Sequence, residues 1–318
     1  MNILSSGSIA MDVVLNSSAL PEDDGFALIE KEKMQPGGSS SNVAVSAAGF
    51  GMGACQVGKV GNDEMGKRFI QSLEEDGVSP KYMIIKENGV TMHTYIVTAP
   101  QGKHTIFANL GDCMQDFTHH ELPEEILDDI DIYYTDMFSP EVSLYLAQES
   151  VRRGKKMMLN MQAVISFMEL CGVSLQQFEK ALECCSVLVG GRAAYSDLFG
   201  ERAGDDVESQ LRYAVQHYQI EDGAICTLGS KGAVWYDGND FIYSEGYSVD
   251  PVDTTGAGDC FNGGIMYAFY EKGMSRKESL KFANGAAAIK CLKPGPRSIA
   301  TEAQVCDFEN SKDQNWNF

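Results

Sequence analysis

A chain of 318 residues with 25 basic and 45 acidic side chains carries a formal charge of −20. That charge excludes sequence-independent nucleic-acid binding and adhesion to anionic membranes, both of which need a basic surface. With 44% hydrophobic and 22% charged residues the chain has an ordinary globular composition, and it has no apolar run of about 18 residues to span a bilayer.

The start, Met1-Asn2-Ile3-Leu4-Ser5, lacks the basic and long apolar regions of a secretion signal. Nine cysteines are scattered singly apart from Cys184-Cys185, with no CxxC pair. They read as reduced thiols in a cytoplasmic protein rather than a disulfide frame or a zinc site. Residues 2–9 alternate loosely and end in Gly7-Ser8-Ile9, the pattern of a first strand that delivers Asp12 to its far end. An acid just past such a strand stands near a binding crevice or, more plainly, in a solvated loop. Residues 26–34 alternate as a half-exposed strand that Pro36-Gly37-Gly38 breaks. Residues 39–51, rich in Ala, Ser and Val, follow as a tightly packable helix with Asn42 in its first turn.

Residues 54–60 predict a buried strand, 64–76 a helix ended by Gly77, and 82–86 another strand. The β-rich runs 91–99 and 104–110 flank Pro100-Gln101-Gly102-Lys103 as a hairpin. With residues from about 12–36, this 91–110 segment predicts a small sheet projecting from the main body, a lid able to exclude water or an edge at which two subunits pair into a homodimer. Beyond residue 130 strands and helices alternate: strands at 131–135, 156–160, 186–189 and 224–228, and helices at 140–153, 175–183 and 206–218. This rhythm implies a parallel sheet with crossover helices. A hairpin at 232–237 and 240–244 and a helix from the capping box of Ser275 and Glu278 to about Cys291 follow; Pro294-Gly295-Pro296 ends that helix.

The stretch Asp253-Thr254-Thr255-Gly256-Ala257-Gly258-Asp259-Cys260-Phe261-Asn262-Gly263-Gly264 carries the chemistry. A small-residue turn that opens a helix aims unpaired N–H groups and the positive end of the helix dipole at one point, which suits an anion. Asp259 stands at that point. A cradle beside a carboxylate suits transfer of a phosphoryl group to a hydroxyl whose proton the carboxylate takes; the plainer alternative is a capping or dipole role for Asp259. Gly258 is expected to use φ > 0. Two near-misses fail: Gly53-Ala54-Cys55-Gln56-Val57-Gly58-Lys59-Val60 has Val60 where a P-loop needs a hydroxyl, and Phe261 ends the dinucleotide fingerprint begun at Gly256 and Gly258.

Two separated motifs resemble those of the ribokinase-like (PfkB) sugar and nucleoside kinases. The first is Gly37-Gly38-Ser39-Ser40-Ser41-Asn42-Val43-Ala44 continuing to Val57-Gly58-Lys59-Val60-Gly61-Asn62-Asp63-Glu64-Met65-Gly66, and the second is the stretch from Asp253 to Gly264. The resemblance runs from Ser6 to about Ile299. It implies an α/β, three-layer αβα sandwich with a mostly parallel central sheet and a β-sheet lid. The implied activity is an ATP-dependent phosphotransferase acting on a hydroxyl of a ribose- or fructose-like sugar, with a nucleoside kinase or a sugar-binding regulator that has lost catalysis as alternatives. Asp259 would be the base and the N–H groups of Gly256, Ala257 and Gly258 the anion hole. Asp12, Gly37, Gly38 and Asn42 would hold the acceptor, while Thr227, Gly229, Ser230 and Gly232 would run along the nucleotide with Asn284 beside the adenine. Asp253 and Thr255 resemble the monovalent-cation (K+) site of some members. The family's Asn-x-x-Glu, which helps to organise Mg2+, is replaced here by Gly191 and Ala194, leaving the metal to be held through ATP and water.

Overall fold

The computed structural model describes residues 1–100 and 103–313. Gln101 and Gly102, at the expected hairpin tip, lie outside the described residues. Nine strands form the main sheet. In chain order they are β1 (Asn2–Ser6), β4 (Gly53–Gly61), β5 (Ser79–Lys86), β8 (Ile132–Thr135), β9 (Lys156–Met161), β10 (Val187–Gly191), β11 (Gly223–Thr227), β12 (Ala233–Tyr236) and β13 (Phe241–Ser244). Their spatial order is β13-β12-β11-β10-β9-β8-β1-β4-β5, with every neighbouring pair parallel except β11–β12 and β12–β13, so that β12 alone runs against the rest.

Successive residues of the buried strands point to opposite faces, and each face carries a helical layer. Leu4, Met157 and Leu188 join the core beneath α3 (Pro140–Arg152), α5 (Leu175–Leu182), α6 (Arg192–Ala203) and α7 (Val207–Tyr218). Their neighbours Ile3, Met158 and Val187 join the core beneath α1 (Ser39–Gly49), α8 (Ala257–Ile265) and α9 (Arg276–Cys291). Strands buried on both faces therefore read as continuous apolar runs. The remaining helices are α2 (Glu64–Glu75), α4 (Ile165–Leu170) and α10 (Glu302–Asp313). A π-turn at Met266–Glu271 continues α8.

The small sheet contains β2 (Ala10–Ser17), β3 (Ile29–Gly37), β6 (His93–Thr98) and β7 (His104–Asn109), in the order β3-β2-β6-β7. Here the sequence reading needs correcting. The first strand stops at Ser6, and Asp12 lies inside β2 rather than past the end of β1. Gly7, at φ 131°, turns the chain because any Cβ there would lie 1.9 Å from an Asp136 Oδ1. The strand expected at 26–34 starts later and runs through Pro36, which pairs with Met11; β3 is an edge strand, where a missing N–H is tolerated. Sequence reading also missed α6, although Ala194, Tyr195, Leu198 and Phe199 bury one face at helical spacing, and it missed α10.

The order in which strands are added reverses at β1, which has β4 on one side and β8 on the other, both parallel to it. Crevices at the carboxyl ends of strands form at such switch points. The chain leaving β1 turns at Gly7 into the small sheet, so the crevice is covered by β2 and its neighbours.

Candidate functional site

The crevice is built first by the start of α1. Gly38 has φ 89°, and a Cβ on it would lie 2.5 Å from the Ser8 carbonyl oxygen and 2.6 Å from the Ile9 Cα. Only glycine permits that approach. It seats Ser39 through Asn42 in buried positions over β1.

Two of those side chains grip Asp259. Ser39 Oγ donates to Oδ1 at 2.6 Å, and Asn42 Nδ2 donates to Oδ2 at 2.9 Å. Burial pushes the Asp259 carboxyl up; the Ser39 and Asn42 hydrogen bonds and the charges of Arg297 and Lys290 oppose the rise. Asn42 is fixed in turn, because its Oδ1 accepts from Arg297 Nε at 3.0 Å. Arg297 also donates to Ser41 Oγ at 2.9 Å and Asp76 Oδ2 at 3.0 Å. This buried guanidinium was not singled out in the sequence, because its partners lie far away along the chain.

Asp259 sits in the first turn of α8. The preceding Gly256 has φ 79°, and a Cβ there would meet the Pro296 carbonyl oxygen at 2.4 Å. Positive φ thus belongs to Gly256 rather than Gly258, which is helical and whose Cβ would enter open space. The Ala257 N–H turns back onto the Thr254 carbonyl at 3.2 Å. Among the described residues the amides of Gly256, Gly258 and Asp259 have no protein acceptor, so an anion at this turn would meet those three rather than the expected set.

A cavity of about 330 Å³ opens beside the turn. It brings together Thr227, Gly229, Ser230, Gly232 and Asn284, with Ala257 and Gly258 at one end and Tyr247, Val249, Pro251 and Phe261 as apolar walls. Asn284 Nδ2 is committed to the wall, since it donates to Ser244 Oγ at 3.1 Å and the Glu245 carbonyl at 3.2 Å.

On the other side of Asp259 lies the small sheet. Asp12 Oδ1 accepts from Thr94 Oγ1 at 2.6 Å, and burial raises its carboxyl against that bond. A Cβ on Gly37 would fall 2.3 Å from Asp12 Oδ2, so Asp12, Gly37, Gly38 and Asn42 share one wall. Two groups join them that the sequence did not mark. Gln162 Oε1 lies 2.9 Å from Ser39 Oγ, and Asp136, fully buried after β8, accepts from Ser8 N at 2.9 Å and Ser8 Oγ at 2.5 Å.

The oxygens of Asp253, expected with Thr255 at a monovalent-cation site, already have protein donors. The Asp253 Oδ1 accepts from Thr255 N and its Oδ2 from Gly295 N, both at 2.9 Å, while its carbonyl accepts from Lys290 Nζ at 2.7 Å. Burial pushes this carboxyl up, but the Thr255 and Gly295 amides outweigh it and hold it below the usual range. A protein-held divalent metal fits no better. Gly191 caps α6 without a side chain and Ala194 is buried in the core, and among the described residues no three His, Cys, Asp or Glu side chains cluster as ligands.

Burial pushes the Asp136 carboxyl up to about 6 from 3.8; hydrogen bonds from Ser8 and Phe138 favour its ionised form, and the Asp259 charge opposes it. A raised folded value favours the fold at low pH and loses that contribution as pH climbs through the folded value. The Asp136→Asn variant should therefore gain stability relative to wild type between about pH 4 and pH 6 and hold a constant difference above. Urea midpoints of both proteins across that range check the sign, and a variant-minus-wild-type stability that falls with rising pH overturns it.

Residues 1–303 match the profile of the pfkB family carbohydrate kinases. The chain is 27% identical over 311 residues to the ATP-dependent ribose-1-phosphate kinase of Halopiger xanaduensis, covering 97% of this chain and 98% of that one. It is 28% identical over 313 residues to the ribokinase of Bacillus subtilis, covering 92% and 94%. Nucleoside kinases are also among its relatives. The crystal structure of Arabidopsis thaliana ribokinase complexed with ribose and ATP superimposes with a TM-score of 0.81 at 21% identity, covering 97% and 98% of the two chains. The fold is thus ribokinase-like, and among the described residues no helix is long and apolar enough to cross a membrane. The chain belongs to the pfkB family of carbohydrate kinases, ATP-dependent phosphotransferases.

Proposed function

We propose that the protein transfers the γ-phosphoryl group of ATP to a hydroxyl of a ribose- or fructose-like sugar, with Asp259 as the general base. The observation that carries this reading is the double grip of Ser39 and Asn42 on Asp259 at the mouth between the 330 Å³ cavity and the small sheet. The cavity, with its apolar walls and the Thr227 to Gly232 loop, takes the nucleotide. Asp12, Asn42, Gln162 and the amides near Gly37 and Gly38 face the acceptor.

In that arrangement Asp259 accepts the proton of the attacking hydroxyl. Its raised proton affinity makes it a better base than an exposed aspartate. The amides of Gly256, Gly258 and Asp259 hold the negative charge of the group in transit, a contribution available without reorganisation. A magnesium ion would be held mainly by the nucleotide phosphates and water and would supply charge neutralisation there. The small sheet excludes water from the transfer.

The face of the small sheet that carries Asp12 also carries Lys33 and Lys31, by its pairing register. A phosphorylated acceptor would find cations there, so the test includes one. A coupled ATP-consumption screen over ribose, fructose, ribose 1-phosphate, adenosine and inosine should find one efficient acceptor. With that acceptor, Asp259→Asn should lower kcat by about 10²–10⁴-fold at unchanged fold. Retention of more than about a tenth of the rate would remove Asp259 as the base.

The turn gives a second prediction. Gly258→Val should leave the melting temperature near wild type yet block phosphoryl binding, because its side chain enters the open cradle. Gly256→Ala should cost about 1–2 kcal/mol or more of stability through its left-handed backbone alone. Thermal melts and nucleotide titrations of both variants separate these effects; equal melting losses would refute the assignment.

The face of the small sheet opposite Asp12 supports self-association at its far strands. Tyr95 and Phe107 are cross-strand neighbours there, 40% and 63% exposed, near the free edge of β7. Edges with exposed apolar residues pair readily. Sedimentation should give a homodimer for the wild type and a monomer for Tyr95→Glu with Phe107→Glu; a wild-type monomer at working concentration refutes pairing through the lid.

A further inference from the structure

Lys290, in the last turn of α9, is the one lysine among the described residues with no solvent exposure. A buried cation is costly unless something depends on it. Its Nζ does not pair with a carboxylate: the hydrogen bond that the structure gives it goes to the Asp253 main-chain carbonyl at 2.7 Å. Asp253 begins the turn that ends at Gly256. The same turn is tied to α9 by Val252 N and Asp253 N, which donate to the Cys291 carbonyl at 2.8 and 3.2 Å.

An exchangeable monovalent cation in such a place would need free carbonyl or carboxylate oxygens. Each oxygen of Asp253 already has a donor, the carbonyl from Nζ and the two carboxylate oxygens from the Thr255 and Gly295 amides. The charge such an ion would bring is present nonetheless. Lys290 lowers the proton affinity of both Asp253 and Asp259, so its field reaches the base in the first turn of α8.

We propose that the Lys290 ammonium is a tethered substitute for a monovalent cation. It is a positioning residue that pins the 252–256 turn through the Asp253 carbonyl and supplies fixed positive charge beneath the anion cradle, so that the protein works without K+. The activity consequence rests on the phosphotransfer reading above; the binding consequence does not.

Wild-type turnover and melting temperature should be the same in KCl, NaCl and tetramethylammonium chloride at equal ionic strength. Lys290→Ala opens room beside the Asp253 carbonyl. In tetramethylammonium it should lose on the order of tenfold in kcat, less than the roughly 10²–10³ expected for a direct oxyanion donor. KCl should restore both its rate and its melting temperature, a rescue that a merely structural lysine would not give. The proposal is overturned if wild type is activated or stabilised by K+ over tetramethylammonium, or if Lys290→Ala ignores the cation. Should that variant not fold, Lys290→Met and a thallium(I) titration of wild type decide: thallium binding at the 252–256 turn of wild type overturns the proposal, and its confinement to the variant supports it. If no acceptor is phosphorylated by any of these proteins, the functional reading fails while the melting and thallium measurements still decide this one.

Discussion

A carboxylate held inside the protein by two neutral donors is the constraint on which the rest depends. Asp259 gains Ser39 and Asn42 but no direct ion pair, so it stays costly to ionise. That balance holds only if α1 begins at one place, which is why Gly38 allows no side chain. It also needs the Asn42 amide turned the right way round, and Arg297 enforces this by donating to the Asn42 oxygen. A charge-assisted bond to the far end of an amide leaves its nitrogen the only group able to face Asp259.

The local parts of this design are legible in the sequence, and the non-local parts are not. The Gly-Ala-Gly turn, the paired glycines before Ser39 and the strand and helix alternation after residue 130 follow from turn chemistry and periodicity. So does the gathering of Thr227, Gly229, Ser230, Gly232 and Asn284, once the resemblance supplies their places. The end of the first strand was misplaced because nothing within the strand pattern shows that the chain bends at Gly7 against Asp136. Asp136, Gln162, Arg297 and Lys290 gave no local signal at all. Each is defined by a partner from another segment, and an isolated acid, amide or cation in a sequence looks like surface. The swap of positive φ between Gly258 and Gly256 has a similar origin, since the decisive neighbour, Pro296, follows almost at the end of the core.

The net charge of −20 poses a problem for any protein that handles phosphate. A long-range positive field is not available, and screening would weaken one in any case. The positive groups of the crevice are instead local: unpaired amides at the start of α8 and two buried cations, Arg297 and Lys290, behind Asn42 and the turn. Cations buried behind the site act through low-dielectric surroundings and are less screened by salt than surface charges.

Ser39 and Asp259 are separated by 220 positions along the chain. During synthesis the first helix of the crevice leaves the ribosome long before its carboxylate partner exists. The central strand β1 waits likewise for β8, and α1 waits for α8 to cover its face. Such distant pairings close late because loop entropy must be met before contacts reward it. Ser39, Ser40, Ser41 and Asn42 suit that interval. Hydroxyls and an amide bond readily to water while unpartnered, so the unfinished half of the molecule shows its neighbours a wettable helix end rather than a sticky one.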